Sequence, residues 1–239
     1  MHKFAPIPGI QGDMGWKLCE QRRYENIIKF WNRLININVS RLTHKIFMWD
    51  KQCNGDNWSH DVELIFEYCN LDDVYTNLLC VDLNVVKQRL DNLFNDEWKE
   101  DMLSKPKLRT YAVFKNRLCT EKYVSSFISR KYRSLLAQIR LGILPLRIET
   151  GRAQGILVDN RLCEFCSTDE IEDEKHFLFI CPLNAIPRQL MLNSIISDCP
   201  DFMLKSYSDK LRYMFERKCV ITARYNQDAM DNRTRFLYR

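Results

Sequence analysis

Four residues in this chain have side chains and spacing suited to one specific chemistry. Cys163, Cys166, His176 and Cys181 form the pattern C-x2-C-x9-H-x4-C within CEFCSTDEIEDEKHFLFIC. Two thiolates two residues apart fit a tight turn whose backbone N–H groups point at the sulfurs. The later His/Cys pair flanks a short helix and can close a tetrahedron. Three soft thiolates and a borderline imidazole suit Zn2+, which makes no geometric demand beyond four such ligands. A full protein tetrahedron leaves no open position for water, so the expected cofactor is one structural Zn2+. Glu172, Asp173 and Glu174 fall where the short helix starts, facing its positive dipole end, and one of them is expected to orient the imidazole. The competing account is chance: the chain has ten cysteines, and most read as reduced, buried thiols.

Other candidates carry less. Cys53 and His60 lack a second pair and read as a core thiol and a surface histidine. Leu71-Asp72-Asp73 has the paired aspartates of polymerases, but Asn70, not an aromatic, stands two places before Asp72, and no strand pattern leads into the pair. These carboxylates read as turn or helix-start residues. No P-loop, nucleophile elbow or framed acid–base pair occurs, so no catalytic residue is assigned.

Charge is segregated along the chain. Residues 54–101 hold three Lys/Arg against twelve Asp/Glu, and residues 102–150 hold eleven against two. Within the basic block, Lys105, Lys107, Arg109, Lys115, Arg117, Lys122, Arg130, Lys131, Arg133 and Arg140 are interleaved with Tyr111, Tyr123 and Tyr132. Cations neutralise phosphates and exposed rings stack on unpaired bases, which makes these ten cations candidate nucleic-acid contacts. Two other accounts stay open: a solvated helix face over core tyrosines, and docking of the basic block on the acidic one.

Helical periodicity supplies the elements that must position these groups. Apolar residues at three- and four-residue spacing predict helices over 16–37, 82–102, 107–118 and 132–141, the last capped by Ser129 and ended by Gly142. Ser40 and Ser59 are expected to cap short helices reaching Trp49 and Cys69, with a turn at Cys53-Asn-Gly-Asp-Asn between them. Residues 143–155 read as an extended connector, residues around Cys163 as a hairpin, and 173–180 as a short helix. Further helices are expected over 187–197, 208–215 and 218–230, then a basic tail of Arg233, Arg235 and Arg239. The fold class is mainly α: a helical bundle, then a small CCHC knuckle and further helices. The expected domains are 1–150, with its acidic then basic segments, and 151–239, the metal-binding segment and C-terminal helices.

At 239 residues, 46% hydrophobic and 28% charged, the composition is that of a globular chain and excludes a fibrous or disordered one. No run approaches the roughly 18 apolar residues of a membrane helix, and the start lacks the apolar core of a secretory signal. The expected setting is therefore intracellular and reducing, nucleus or cytoplasm, with no membrane partner and no small-molecule substrate.

Three stretches carry a family resemblance: Lys105-Pro-Lys-Leu-Arg-Thr-Tyr, the run from Ser134 to Arg152, and Arg161-Leu-Cys-Glu-Phe-Cys with Glu172-Asp-Glu-Lys-His-Phe-Leu-Phe-Ile-Cys-Pro. Together they resemble the C-terminal region of non-LTR retrotransposon reverse transcriptases, which carries the reverse transcriptase zinc-binding domain. The close resemblance spans about 105–182, and the family's ligand pattern falls on Cys163, Cys166, His176 and Cys181. It implies a role in holding template RNA or target DNA, with the upstream polymerase domain as a further candidate partner and residues 1–150 as a linker or thumb-like region. It brings no polymerase site, since the aromatic-x-Asp-Asp loop is expected upstream of Met1. A protein-interaction scaffold stapled by zinc, and a decayed element fragment without activity, are the alternatives.

Overall fold

The computed structural model describes residues 5–53 and 55–237. The fold is mainly α, and among the described residues the only β pairing is two isolated bridges, Met14 with Thr120 and Leu162 with Ile171. In chain order the helices are α1 (Ile7–Met14), α2 (Cys19–Asn36), α3 (Leu42–Gln52), α4 (Trp58–Tyr68), α5 (Asp72–Thr76), α6 (Leu83–Ser104), α7 (Arg109–Phe114), α8 (Lys122–Ser125), α9 (Arg130–Arg140), α10 (Arg147–Ala153), α11 (Ala185–Asp198), α12 (Tyr207–Glu216) and α13 (Cys219–Leu237). Asn54 of the expected turn and Arg239 of the expected tail lie outside the described residues.

The chain forms two compact units. One is Lys17–Trp98; the other joins the stretch up to Trp16 with everything from Lys99 onward. The division falls inside α6 and not at 150/151, a position that lies within α10.

The Lys17–Trp98 unit is organised around Trp31. Its ring meets Phe47, Phe66 and Tyr75 at centroid distances of 5.4, 5.3 and 5.4 Å, and its indole N–H donates to the Leu79 carbonyl at 3.0 Å. A buried indole needs such an acceptor. Asn32 clamps the returning chain by bonding both the carbonyl and the amide of Val81, at 2.7 and 3.0 Å. On α6 Val86, Leu90, Phe94 and Trp98 are buried and Leu93 is half-buried, while Asp96, Glu97, Glu100 and Asp101 are exposed. Two expected caps are corrected. Asn57, not Ser59, caps α4 by accepting from the His60 amide at 2.9 Å, and Ser59 lies buried inside the helix. Ser40 bonds Asn38, and α3 starts beyond it without a side-chain cap.

The other unit closes around a buried ion cluster. Arg140, fully buried at the end of α9, donates to Asp13 Oδ1 at 2.6 Å and to Oδ2 at 3.2 Å, and lies 3.2 Å from Glu121. Tyr111 and Tyr123 donate their hydroxyls to the same Asp13 carboxylate, at 3.0 and 2.5 Å. The guanidinium lies 4.8 to 5.6 Å from the ring centres of Phe114, Tyr123, Phe215 and Tyr111. Burial and the Asp13 charge hold both tyrosine hydroxyls well above their ordinary pKa. Lys115 adds a further ion pair with Glu121. Asp13 belongs to α1, which hydrophobic periodicity missed because Pro6, Pro8, Gly9 and Gly12 leave little apolar pattern to detect.

Two further expectations are corrected here. The helix expected over 107–118 is the shorter α7, because the chain extends at Lys115 and sends its ammonium back to the Cys119 carbonyl at 2.8 Å. The connector expected over 143–155 contains α10, whose Ile148 and Gly151 are buried. Gly142 does end α9 as expected. At φ 60° it sits so close to the Lys107 carbonyl that a Cβ would collide with it.

Removing one partner of the buried pair strands the other without compensation. Asp13→Ala should therefore lower unfolding free energy by about 3–5 kcal/mol in urea titrations, and Tyr123→Phe by only about 1 kcal/mol. A loss under 1 kcal/mol for Asp13→Ala would show that this cluster is not a structural anchor.

Candidate metal centre

Residues 161–172 double back so that the Cys163 amide donates to the Glu170 carbonyl at 2.9 Å and the Glu172 amide to the Arg161 carbonyl at 3.0 Å. This is the expected hairpin, and its tip carries Cys163 and Cys166. Asp173 then starts a helical turn by accepting from the His176 amide at 2.8 Å. The turn widens to π geometry over His176–Ile180, closed by the Cys181 amide donating to the His176 carbonyl at 2.9 Å. Cys181 follows outside helical geometry, at φ −48° and ψ 118°, and Pro182 opens the next turn. A π turn inserts an extra residue per turn and re-aims the side chains at its two ends, here His176 and Cys181.

The four ligand atoms converge. The three sulfurs and one His176 ring nitrogen all lie within 4.8 Å of one another. Cys163 Sγ and Cys181 Sγ are 4.0 Å apart, and Cys166 Sγ lies 3.4 Å from His176 Nε2. Cys163, His176 and Cys181 are buried and Cys166 is half-buried. This group can hold one metal ion. Cys19, Cys53, Cys69, Cys80, Cys119, Cys199 and Cys219 stand apart from it as free thiols; Cys19, Cys53, Cys80 and Cys119 are exposed, which corrects the expectation of a core thiol at Cys53 and of mostly buried cysteines.

The side chains compete for protons in such close quarters. Burial alone would lower the His176 pKa, but bonds to Cys163 and Glu170 outweigh it and push it up to about 9. The bond shared with Cys181, followed by burial, pushes the Cys163 thiol up to about 11, while the same bond lowers Cys181. A cation binding here must displace these protons, since thiolate and neutral imidazole are the ligating forms.

The carboxylates around the centre divide differently from expectation. Glu170, not Glu172, Asp173 or Glu174, faces the imidazole, with Oε2 3.2 Å from Nδ1. That leaves Nε2 toward the cysteines, the arrangement in which a carboxylate fixes a metal-binding histidine. Asp173 serves the backbone. Glu172 is buried, pairs with Arg233 and accepts the Arg147 amide at 2.7 Å. Glu174 is buried, accepts from Arg109 at 2.7 Å and from Thr110 at 2.9 Å, and burial raises its pKa despite the Arg109 charge. Phe177 and Leu178 are buried and Phe179 is half-buried; the Phe177 ring meets Tyr225 at 5.6 Å, and Tyr225 donates its hydroxyl to the Phe177 carbonyl.

The ten candidate nucleic-acid contacts separate into two groups. Arg140 and Lys115 are buried on carboxylates, and Arg109 bridges Glu149 at 2.6 Å and Glu174 at 2.7 Å. These three are structural cations and leave the set. Arg233 of the expected basic tail is likewise buried, on Glu172. Lys105, Arg117, Lys122, Arg130, Lys131 and Arg133 are exposed and Lys107 is half-buried. Lys105 pairs with Asp101 at 2.8 Å. Of the tyrosines proposed for stacking, Tyr111 and Tyr123 are buried in the Asp13 cluster, and the Tyr132 hydroxyl accepts from Arg224 at 3.3 Å. Asp72 and Asp73 occupy the first turn of α5, where carboxylates meet the helix dipole.

Comparison with family models, with curated proteins and with solved structures finds no match to this chain. Among the described residues no helix is long and apolar enough to cross a membrane.

The centre should bind one equivalent of divalent metal, and Cys163→Ser or His176→Ala should abolish that binding. Glu170→Gln should weaken it by about 10-fold or more, because the imidazole loses its orienting partner. Affinity should drop by more than about tenfold between pH 8 and pH 6 as protons reclaim the ligands. Metal titrations of the three variants at both pH values check this; unaltered affinity in His176→Ala would rule the centre out.

Proposed function

We propose that this chain is a zinc-stabilised nucleic-acid-binding module of the kind found in the C-terminal region of non-LTR retrotransposon reverse transcriptases, holding template RNA or target DNA without a polymerase site of its own. The observation that carries the reading is the convergence of Cys163, Cys166, Cys181 and His176 within 4.8 Å, at the positions where the resemblance expects zinc ligands. Three thiolates and one imidazole favour Zn2+ over Mg2+ or Ca2+, which take oxygen ligands. With four protein ligands the zinc is structural: it joins the hairpin to the π turn and supplies folding energy, not a reactive water.

The nucleic-acid part of the reading rests on the exposed cations around the start of α9. Lys122, Arg130 and Lys131 make no hydrogen bond or ion pair through their side chains among the described residues. Arg130 and Lys131 stand in the first turn of α9, capped by Ser129, with no acidic residue there. Cations at that end oppose the helix dipole at a cost of about 0.3–1 kcal/mol each, and an incoming phosphate removes the conflict. Arg117 is exposed as well.

The rival reading is a scaffold in which zinc only staples the fold. Arg109, Lys115 and Arg140 favour neither side, because they are taken up by Glu149, Glu174, Glu121 and Asp13 within their own unit. Salt dependence separates the two. A single strand making four to six phosphate contacts gives a log–log salt slope of about −3 to −4, and changing Lys122, Arg130 and Lys131 together to Ala should flatten it by about two units. Failure of the wild-type chain to retain RNA or DNA at low salt would sink the nucleic-acid reading and leave the scaffold.

Catalysis provides a separate check. With template, primer, nucleotides and Mg2+, the purified chain should extend no primer, and Asp72→Ala should behave as wild type. Primer extension lost in Asp72→Ala would mean that Asp72 and Asp73 are catalytic.

A further inference from the structure

Phe127 is the most exposed large apolar side chain among the described residues. A loose loop would fold such a ring back on its neighbours, but this loop is braced to hold it out. The Ile128 amide donates to the Ser126 carbonyl at 2.8 Å, a γ-turn with Phe127 at its apex. Ser126 is tied back to the end of α8, its amide donating to the Lys122 carbonyl at 2.9 Å and its hydroxyl to the same oxygen at 2.5 Å. From the other side Arg133 reaches back from α9 and donates to the carbonyls of both Ser126 and Ile128, at 3.3 and 3.1 Å. The two residues flanking the ring are thus fixed while the ring contributes nothing to the core. Arg133 is thereby a positioning residue of this turn and not a free cation.

Cations open the helices on both sides of the turn. Lys122 begins α8 on one side, and Arg130 and Lys131 begin α9 on the other. An apolar ring presented to water between unpaired cations matches a strand whose phosphates run along the cations and whose base lies flat on the ring. Duplex nucleic acid keeps its bases stacked inside and offers this ring nothing. An acidic peptide would satisfy the cations but brings no obligatory planar group.

We propose that Phe127 is a stacking post for one unpaired base, which makes single-stranded nucleic acid the ligand of this face. The proposal rests on the nucleic-acid reading above and adds the strandedness. Lys122, Arg130 and Lys131 then neutralise the neighbouring phosphates, while the braced γ-turn keeps the ring in place before the strand arrives. Because stacking tolerates every base, sequence preference on this face is weak.

The experiment is fluorescence anisotropy of the full chain with labelled oligo(dT), oligo(U) and a mixed-sequence blunt duplex, each of about 12 nucleotides or base pairs. Phe127→Ala should weaken both single strands by about 5- to 100-fold and leave the duplex and the salt slope unchanged. Phe127→Trp should restore single-strand affinity and Phe127→Leu should not, since stacking needs a π face. The thermal midpoint should match wild type in all three, because the ring buries nothing. Arg133→Ala should reproduce a large part of the Phe127→Ala loss on single strands only. The dT and U arms distinguish DNA from RNA as the preferred strand. Wild-type single-strand binding with a steep salt slope, unaltered in Phe127→Ala, overturns the stacking post while leaving the nucleic-acid reading intact. Equal losses on single strands and duplex overturn it too. So does altered self-association with unchanged oligonucleotide affinity, which marks the ring as a protein anchor. A wild-type chain that binds none of the probes overturns both.

Discussion

A carboxylate taken out of water must be met by a cation, and this constraint shapes the unit that holds the metal centre. It is satisfied at three places: Asp13 and Glu121 by Arg140 and Lys115, Glu172 by Arg233, and Glu174 by Arg109. Leaving any of these charges unmet costs several kcal/mol, so each pair obliges distant chain segments to meet. Asp13 and Arg140 are 127 positions apart, and Glu172 and Arg233 are 61 apart. Glu172 and Glu174 lie on either side of Asp173, just before His176, so the segment carrying the ligands is anchored from opposite ends of the unit's sequence. The convergence of three sulfurs and an imidazole is built on that anchored segment.

The same constraint explains how cations serve two purposes in one basic block. Those with a carboxylate inside the fold are structural, and their guanidinium or ammonium groups are spent. Lys122, Arg130 and Lys131 have no such partner, and Arg130 and Lys131 stand in the first turn of α9, where the helix dipole opposes them, which is the distribution expected of groups kept for an external anion. Arg133 is intermediate: it is exposed, yet its guanidinium is spent on the carbonyls around Phe127. A count of charges along the chain cannot separate these roles, because the difference lies in what each side chain meets after folding.

Much of the helical fold was legible because α2, α6 and α9 carry apolar stripes of helical period, and Ser129 and Gly142 mark the ends of α9 with local chemistry alone. The four cysteine and histidine ligands were legible for the same kind of reason, since their spacing is local. What escaped depends on distant partners or weak patterns. Helix α1 is short and rich in proline and glycine, and α10 hides in a stretch whose apolar residues lack helical spacing. Arg140 looks like any cation in a basic run until Asp13 reaches it. Glu170 has no sequence signal that sets it apart from Glu172, Asp173 and Glu174, because only the hairpin brings its carboxylate against His176 Nδ1. Phe127 has no sequence signal beyond its position before a capped helix, and its exposure comes from the γ-turn and the Arg133 brace.

The proposed zinc centre is closed, with three sulfurs and one nitrogen joining the hairpin to the π turn. X-ray absorption at the zinc edge on the intact chain tests it most directly. The account predicts a first coordination shell of three sulfurs at about 2.3 Å and one nitrogen at about 2.0 Å, with one sulfur lost in Cys181→Ser. A shell made mainly of oxygen and nitrogen, or a folded chain that takes up no zinc, would contradict it.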